Sequence, residues 1–154
     1  MQEVTSLNQV SEFHKTFKHP INDTPGIPSK ERCELRVSLL AEEVKELQQA
    51  INDNSLVEIA DALCDIQYVL AGAILEFGLG DKFKQLFDEV HRSNMSKACK
   101  STNEANQTIE YYKINESVES YFEEEESLYL IYRTKDHKIL KSINYSPADL
   151  QSIL

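Results

Sequence analysis

The sequence has no tryptophan and only three cysteines, four glycines and four prolines in 154 residues, and each shortage closes off a class of protein. Cys33, Cys64 and Cys99 are odd in number, widely spaced and without a CxxC pair. That argues against a disulfide framework and against a thiolate zinc site, so reduced thiols are expected. No apolar run approaches the roughly 18–20 residues needed to cross a bilayer, and no membrane partner is expected. The stretch MQEVTSLNQVSEFHK lacks the basic-then-apolar layout of a secretory signal, which makes the cytoplasm the expected location. Bases are scarce as well, 16 against 26 acids for a net charge of −10. Such a surface repels polyphosphate backbones and speaks against a nucleic-acid polymer as partner. A small anionic substrate fits only where cations are recruited locally, which points to divalent metal.

The breakers that do occur are concentrated. Residues 4–18 carry Leu7, Val10, Phe13, His14 and Phe17 at helical spacing, and HPINDTPGIPS (19–29) then holds three of the four prolines and must be a loop. From about 30 to 51 the row Val37, Leu40, Val44, Leu47, Ile51 predicts an amphipathic helix with that row facing inward. NDNS (52–55) is a turn. A further helix, with Ile59, Leu63, Ile66, Leu70, Ala73 and Phe77 in one row, ends at Gly78; its uncharged second half should be buried nearly all round. Another runs from 81 to about 98 with Phe83, Phe87 and Val90 inward. The expected fold is all-α, with antiparallel helices forming a four-helix-bundle-type core over residues 1–100. A polar linker, STNEANQ (101–107), leads to a small C-terminal β-hairpin extension at 108–154. In it, LYLIYR (128–133) pairs with KILKSI (138–143) across TKDH. EEEE (123–126) reads as a solvated charge run, and the closing NYSPADLQSIL as a last helical turn.

Carboxylates interrupt this pattern at two places. In LLAEEVKEL (39–47) the row Leu39, Glu43, Glu46, Ala50 is apolar at both ends. In EIADALCD (58–65) Glu58, Asp61 and Asp65 share one stripe. Side chains three or four apart on a helix lie on one face, close enough to share a cation. Bare acids on two packed helices repel and lose hydration, whereas a hard divalent ion held by oxygens relieves both costs. Each has a plainer alternative. Ser55-Leu-Val-Glu58 matches a capping box, so Glu58 could simply close a helix N-terminus. Glu42 is either a working acid or a surface charge paired with a nearby lysine, and Glu43, Glu46, Asp61 and Asp65 could be solvated. In EVHRSNMSK (89–97), Asn94 and Lys97 continue the inward row of their helix. Lys97 either meets a phosphate or snorkels at the helix C-terminus.

These residues resemble one family, the all-α nucleoside triphosphate pyrophosphohydrolases of the MazG-like and phosphoribosyl-ATP pyrophosphohydrolase-like group. The hallmark of that family is ExxE on one helix and ExxD on the next, matched here by Glu43-Val-Lys-Glu46 and Glu58-Ile-Ala-Asp61. FHKTF, HPI, TPGIP, YVLAG and EVHRSNMSK look like one of its subgroups, as does the ending KILKSINYSPADL, although that ending usually has glycine where His137 stands. The resemblance implies magnesium, with manganese the alternative, held by Glu43, Glu46, Glu58, Asp61 and Asp65. It implies Glu42 or Glu43 as the base that orients the attacking water. Asn94 and Lys97 would contact the phosphates, His14 would line the nucleotide pocket, and Lys141 would reach substrate or a neighbouring subunit. The reaction implied is hydrolysis of a nucleotide between its α- and β-phosphates, a nucleotide-pool house-cleaning activity, by a homodimer or homotetramer. The rival is a non-catalytic helical module that binds nucleotide or a protein.

Overall fold

The computed structural model describes residues 4–154. It contains five helices, α1 Ser6–Phe17, α2 Lys30–Asn52, α3 Leu56–Glu76, α4 Phe83–Met95 and α5 Thr102–Glu116, followed by strands β1 Ser120–Glu125 and β2 Leu128–Arg133. The all-α class with a small C-terminal hairpin is what the sequence predicts. No described helix is long and apolar enough to cross a membrane. The chain divides into two compact units, the first running to Phe83 and the second from Lys84 to Leu154.

In the first unit α2 and α3 form an antiparallel helical hairpin across the expected turn, and α1 packs on α3. Serines cap both long helices: Ser29 Oγ accepts from Arg32 N, and Ser55 Oγ from Glu58 N, each at 3.4 Å. Val10, Ala71 and Leu75 make a small core with Leu7 and Ile21 against it. The row of α2 expected to face inward does so only in part, through the half-buried Leu40 and Leu47. Val37, Val44 and Ile51 are 68%, 55% and 52% exposed, while Arg36 and Ala50, from the neighbouring row, are buried. On α3, likewise, Ala71 to Glu76 are mostly buried but Tyr68 and Leu70 are open. α2 turns its acid- and arginine-bearing stripe to α3, which leaves Val37, Val44 and Ile51 uncovered.

The loop 19–29 is tied to the end of α3. Asn22 N donates to Leu75 O at 3.1 Å, and Gly26 N to Phe77 O at 3.0 Å. Gly78 takes φ +68°, and a Cβ there would stand 1.9 Å from Thr24 O, so only glycine fits. These bonds make the loop a rigid connector.

In the second unit Cys99, Ala105, Tyr112, Ile131 and Leu140 form the core. Three expectations are corrected here. Residues 101–107 are no linker but the start of α5: Ser101 Oγ accepts from Glu104 N (3.2 Å), and the Glu104 carboxylate reaches back to Lys100 N (2.9 Å). The hairpin exists, but LYLIYR pairs with the segment before it, from Ser120↔Arg133 to Glu125↔Leu128. Glu123, Glu124 and Glu125 are therefore strand, and Glu126 and Ser127 are the turn, both at positive φ. KILKSI contributes a single bridge, Tyr132↔Ile139. On α4 the expected inward row is open, with Phe87 and Val90 exposed and Leu86 and Ser93 buried instead.

Candidate functional site

Glu42, Glu43 and Glu46 on α2 and Glu58, Asp61 and Asp65 on α3 all lie in the first unit, and the antiparallel pairing brings the two stripes together. Glu46, Glu58 and Asp61 line one hollow of about 240 Å³, floored by the buried Ala50 and Ala62. The small side chains let the two helices approach closely there. One turn along, Glu43 faces Asp65 and Asp61. Burial pushes its carboxyl above the usual carboxylate range, helped by the charges of Asp65, Glu46, Glu42 and Asp61. Its Oε2 is shut off from solvent and has no hydrogen-bond partner.

None of these six carboxylates makes an ion pair or hydrogen bond among the described residues. Glu42 is thus not paired to a lysine. The Ser55 box is only half made, because the serine caps the helix while the Glu58 carboxylate stays unbonded. Among the described residues no three such side chains are drawn into a ready metal-ligand cluster. The donors themselves, hard oxygens in excess with one buried and orphaned, suit a magnesium-type ion.

Two turns further along the same interface stands a network that sequence reasoning missed. Glu76, 1% exposed, accepts from Arg32 Nε (3.1 Å), from Arg32 Nη2 and from Arg36 Nη2 (2.5 Å). Burial alone would raise the Glu76 carboxyl, but the two guanidiniums outweigh it and hold it below the usual range. His14, 2% exposed, donates from Nδ1 to Pro20 O (2.8 Å), which leaves Nε2 to accept from Arg36 Nη2 (3.2 Å). Burial keeps the imidazole below its ordinary value. With both ring nitrogens engaged, His14 steadies Arg36 rather than lining an open nucleotide pocket. Gly72 makes room for the pair, since a Cβ there would lie 2.7 Å from Arg36 Nη1 and 3.0 Å from His14 Nε2. The signal available in sequence was two arginines four apart near the start of a helix and a glutamate in the apolar half of the next.

Asn94, Lys97 and Lys141 belong to the second unit. Lys97 Nζ donates to Asn94 Oδ1 at 2.7 Å, and Lys141 Nζ stands 4.3 Å over the Tyr145 ring.

Residues 10–94 match the model of the phosphoribosyl-ATP pyrophosphohydrolase family. The chain belongs to that family. The matched span contains all six acids, His14 and Asn94, and stops short of Lys97 and Lys141. Over 99% of its length the chain is also similar, at 26% identity, to the uncharacterized protein L479 of Acanthamoeba polyphaga mimivirus, 97% of which is covered. Membership in the phosphoribosyl-ATP pyrophosphohydrolase family makes pyrophosphohydrolase chemistry on a nucleotide-like substrate the general activity, in a family whose enzymes typically depend on a divalent metal.

Proposed function

We propose that the chain hydrolyses a nucleoside triphosphate, or a related nucleotide, between its α- and β-phosphates, yielding monophosphate and pyrophosphate, with magnesium as cofactor and manganese as the alternative. The observation that carries this reading is the orphaned, buried Oε2 of Glu43 among acids that have no counter-cation among the described residues. A buried oxygen without a donor is costly, and a hard cation satisfies it. When bound, the ion neutralises phosphate oxygens and acidifies a water for in-line attack. On the protein side, Glu43, Glu46, Glu58, Asp61 and Asp65 supply ligand oxygens. Glu43 or its exposed neighbour Glu42 takes the proton of the water, and the raised proton affinity of Glu43 suits that task. Asn94 and Lys97, already held together, are the donors proposed for phosphate.

The partner we propose is a second copy of the chain, as homodimer or homotetramer. The support is the uncovered apolar row of Val37, Val44 and Ile51, with Leu63 and Leu70 on α3. A cytoplasmic house-cleaning role in the nucleotide pool completes the reading.

The test is pyrophosphate release from a panel of nucleotides with magnesium present. Release is expected from at least one, falling by about a hundredfold or more in Glu46→Gln. No release from any nucleotide, with binding unchanged in Glu46→Gln, overturns the reading in favour of a non-catalytic nucleotide- or protein-binding module.

A further inference from the structure

The family match ends at residue 94, and the second unit beyond it contains a hollow that pyrophosphate chemistry does not use. The last turns of α5 contribute Tyr111, Tyr112 and Glu116, and the segment after the hairpin contributes Lys141, Ile143 and Tyr145, around about 490 Å³. That is within the range of small-ligand pockets.

Its walls are fixed by bonds that leave the interior groups free. The Tyr112 hydroxyl accepts from Lys141 N (3.1 Å), and Ile143 N donates to Thr108 Oγ1 (3.2 Å). Tyr145 OH and Ser93 Oγ are 3.0 Å apart, and Ser142 N donates to Lys97 O (3.0 Å). Two charged groups remain unpaired among the described residues, and one ring keeps an open surface although it meets Tyr112 edge to face, centroids 5.5 Å apart. Tyr111 is 48% exposed. The Lys141 ammonium has only the Tyr145 ring and no acidic partner among the described residues, although the chain as a whole is strongly acidic. Glu116 has no ion pair either, and it stands at the carboxyl end of α5, where the helix dipole adds to its charge. The hollow is thus aromatic in its walls, positive at Lys141 and negative at Glu116. A planar ring with an amino edge at one end and an anion at the other matches that polarity. Base–aromatic stacking and a lysine–phosphate contact are the interactions on offer.

We propose that the second unit carries its own binding site for a nucleoside monophosphate, with the base against Tyr111, its amino edge toward Glu116 and its phosphate at Lys141. This binding needs neither metal nor the acids of the first unit, so it stands apart from the hydrolytic reading.

The experiment is calorimetric titration of the full chain with adenosine monophosphate in EDTA, with adenosine and inorganic phosphate as separate arms. The variants are Lys141→Met, Tyr111→Ala and the double variant Glu43→Gln/Asp61→Asn. Both single changes remove exposed groups, so the fold should survive them. Adenosine monophosphate is expected to bind wild type and the acid double variant equally, and to bind Lys141→Met and Tyr111→Ala about tenfold more weakly. Adenosine and phosphate should each bind more weakly than the nucleotide. The proposal falls if the nucleotide does not bind, if the acid double variant loses binding, if both single variants bind normally, or if either fragment binds as tightly as the whole. Failure of pyrophosphate release would leave every one of these titrations unchanged.

Discussion

Glu43 is the residue on which the proposed metal binding and stability meet. Its folded-state proton affinity is raised, so the fold holds a proton there more tightly than the unfolded chain does. Ionising it therefore costs stability, increasingly as pH rises from the ordinary carboxylate range toward the folded value. In chelator at neutral pH, Glu43→Gln should melt at a higher temperature than wild type. With magnesium added, wild type should gain thermal stability and the variant should gain little. A variant that melts lower in chelator, or that keeps the full magnesium shift, would contradict this. The acids were legible in the sequence because two ExxE/D pairs interrupt otherwise apolar rows. Arg36 and Glu76 were not, because a charge that is buried and paired looks like any surface charge when only spacing is visible. His137 lies between the two cases: it stands where the ending it resembles usually has glycine, and it takes φ +55°, with its Nδ1 2.8 Å from Tyr121 OH.

At the level of elements, the buried Glu76 of α3 ties to α2 through the buried Arg36 and the partly exposed Arg32. Removing its acid with Glu76→Gln leaves two guanidiniums without their counter-charge and should cost about 3–5 kcal/mol in denaturant unfolding. Gly72→Ala drives a methyl into Arg36 and His14 and should cost about 1–3 kcal/mol. Acid acts on the same place twice. His14 is held neutral among Arg36, His19, Glu76 and Pro20, so its contribution is lost as pH falls below the ordinary imidazole value of 6.5. Glu76 is held ionised, so its contribution is lost only as pH falls below 4.5. Thermal melts should show the first loss beginning near pH 6.5, and His14→Gln should remove that first component alone. The helix spans were legible from period and breakers. The hairpin partner was not, because a Glu-Ser turn lacks the Asn-Gly or Asp-Gly signature and consecutive glutamates mask a strand. For α5 the signal was present: Ser101-Thr-Asn-Glu104 is a capping box, obscured by the polarity of the residues after it.

For the whole molecule, the inside-out arrangement of α2 is the main departure from the sequence reading. Periodicity shows that one row of the helix is apolar, and an apolar row points by default to the chain's own core. The fold instead gives the interior to Arg36 and Ala50, with Glu43 half-buried between them, and leaves Val37, Val44 and Ile51 open. A pattern of apolar positions marks a face that must be covered, but not which chain covers it. Val44→Glu should shift the protein to a smaller species in analytical ultracentrifugation. A wild type already monomeric at micromolar concentration would refute the assembly proposed above.

The sheet gives the opposite instruction. Among the described residues β1 pairs only with β2, so its outer edge is a template on which a foreign strand could add itself. That edge carries Glu123, Glu124 and Glu125 in succession, and incoming backbone would have to dock beside a dense row of negative charge. Two copies of the chain are thereby discouraged from zipping together through their hairpins, even while the helical face invites association. Neutralising the three glutamates should lead to fibrous or amorphous aggregation on mild heating, with the helical unit still folded at its onset.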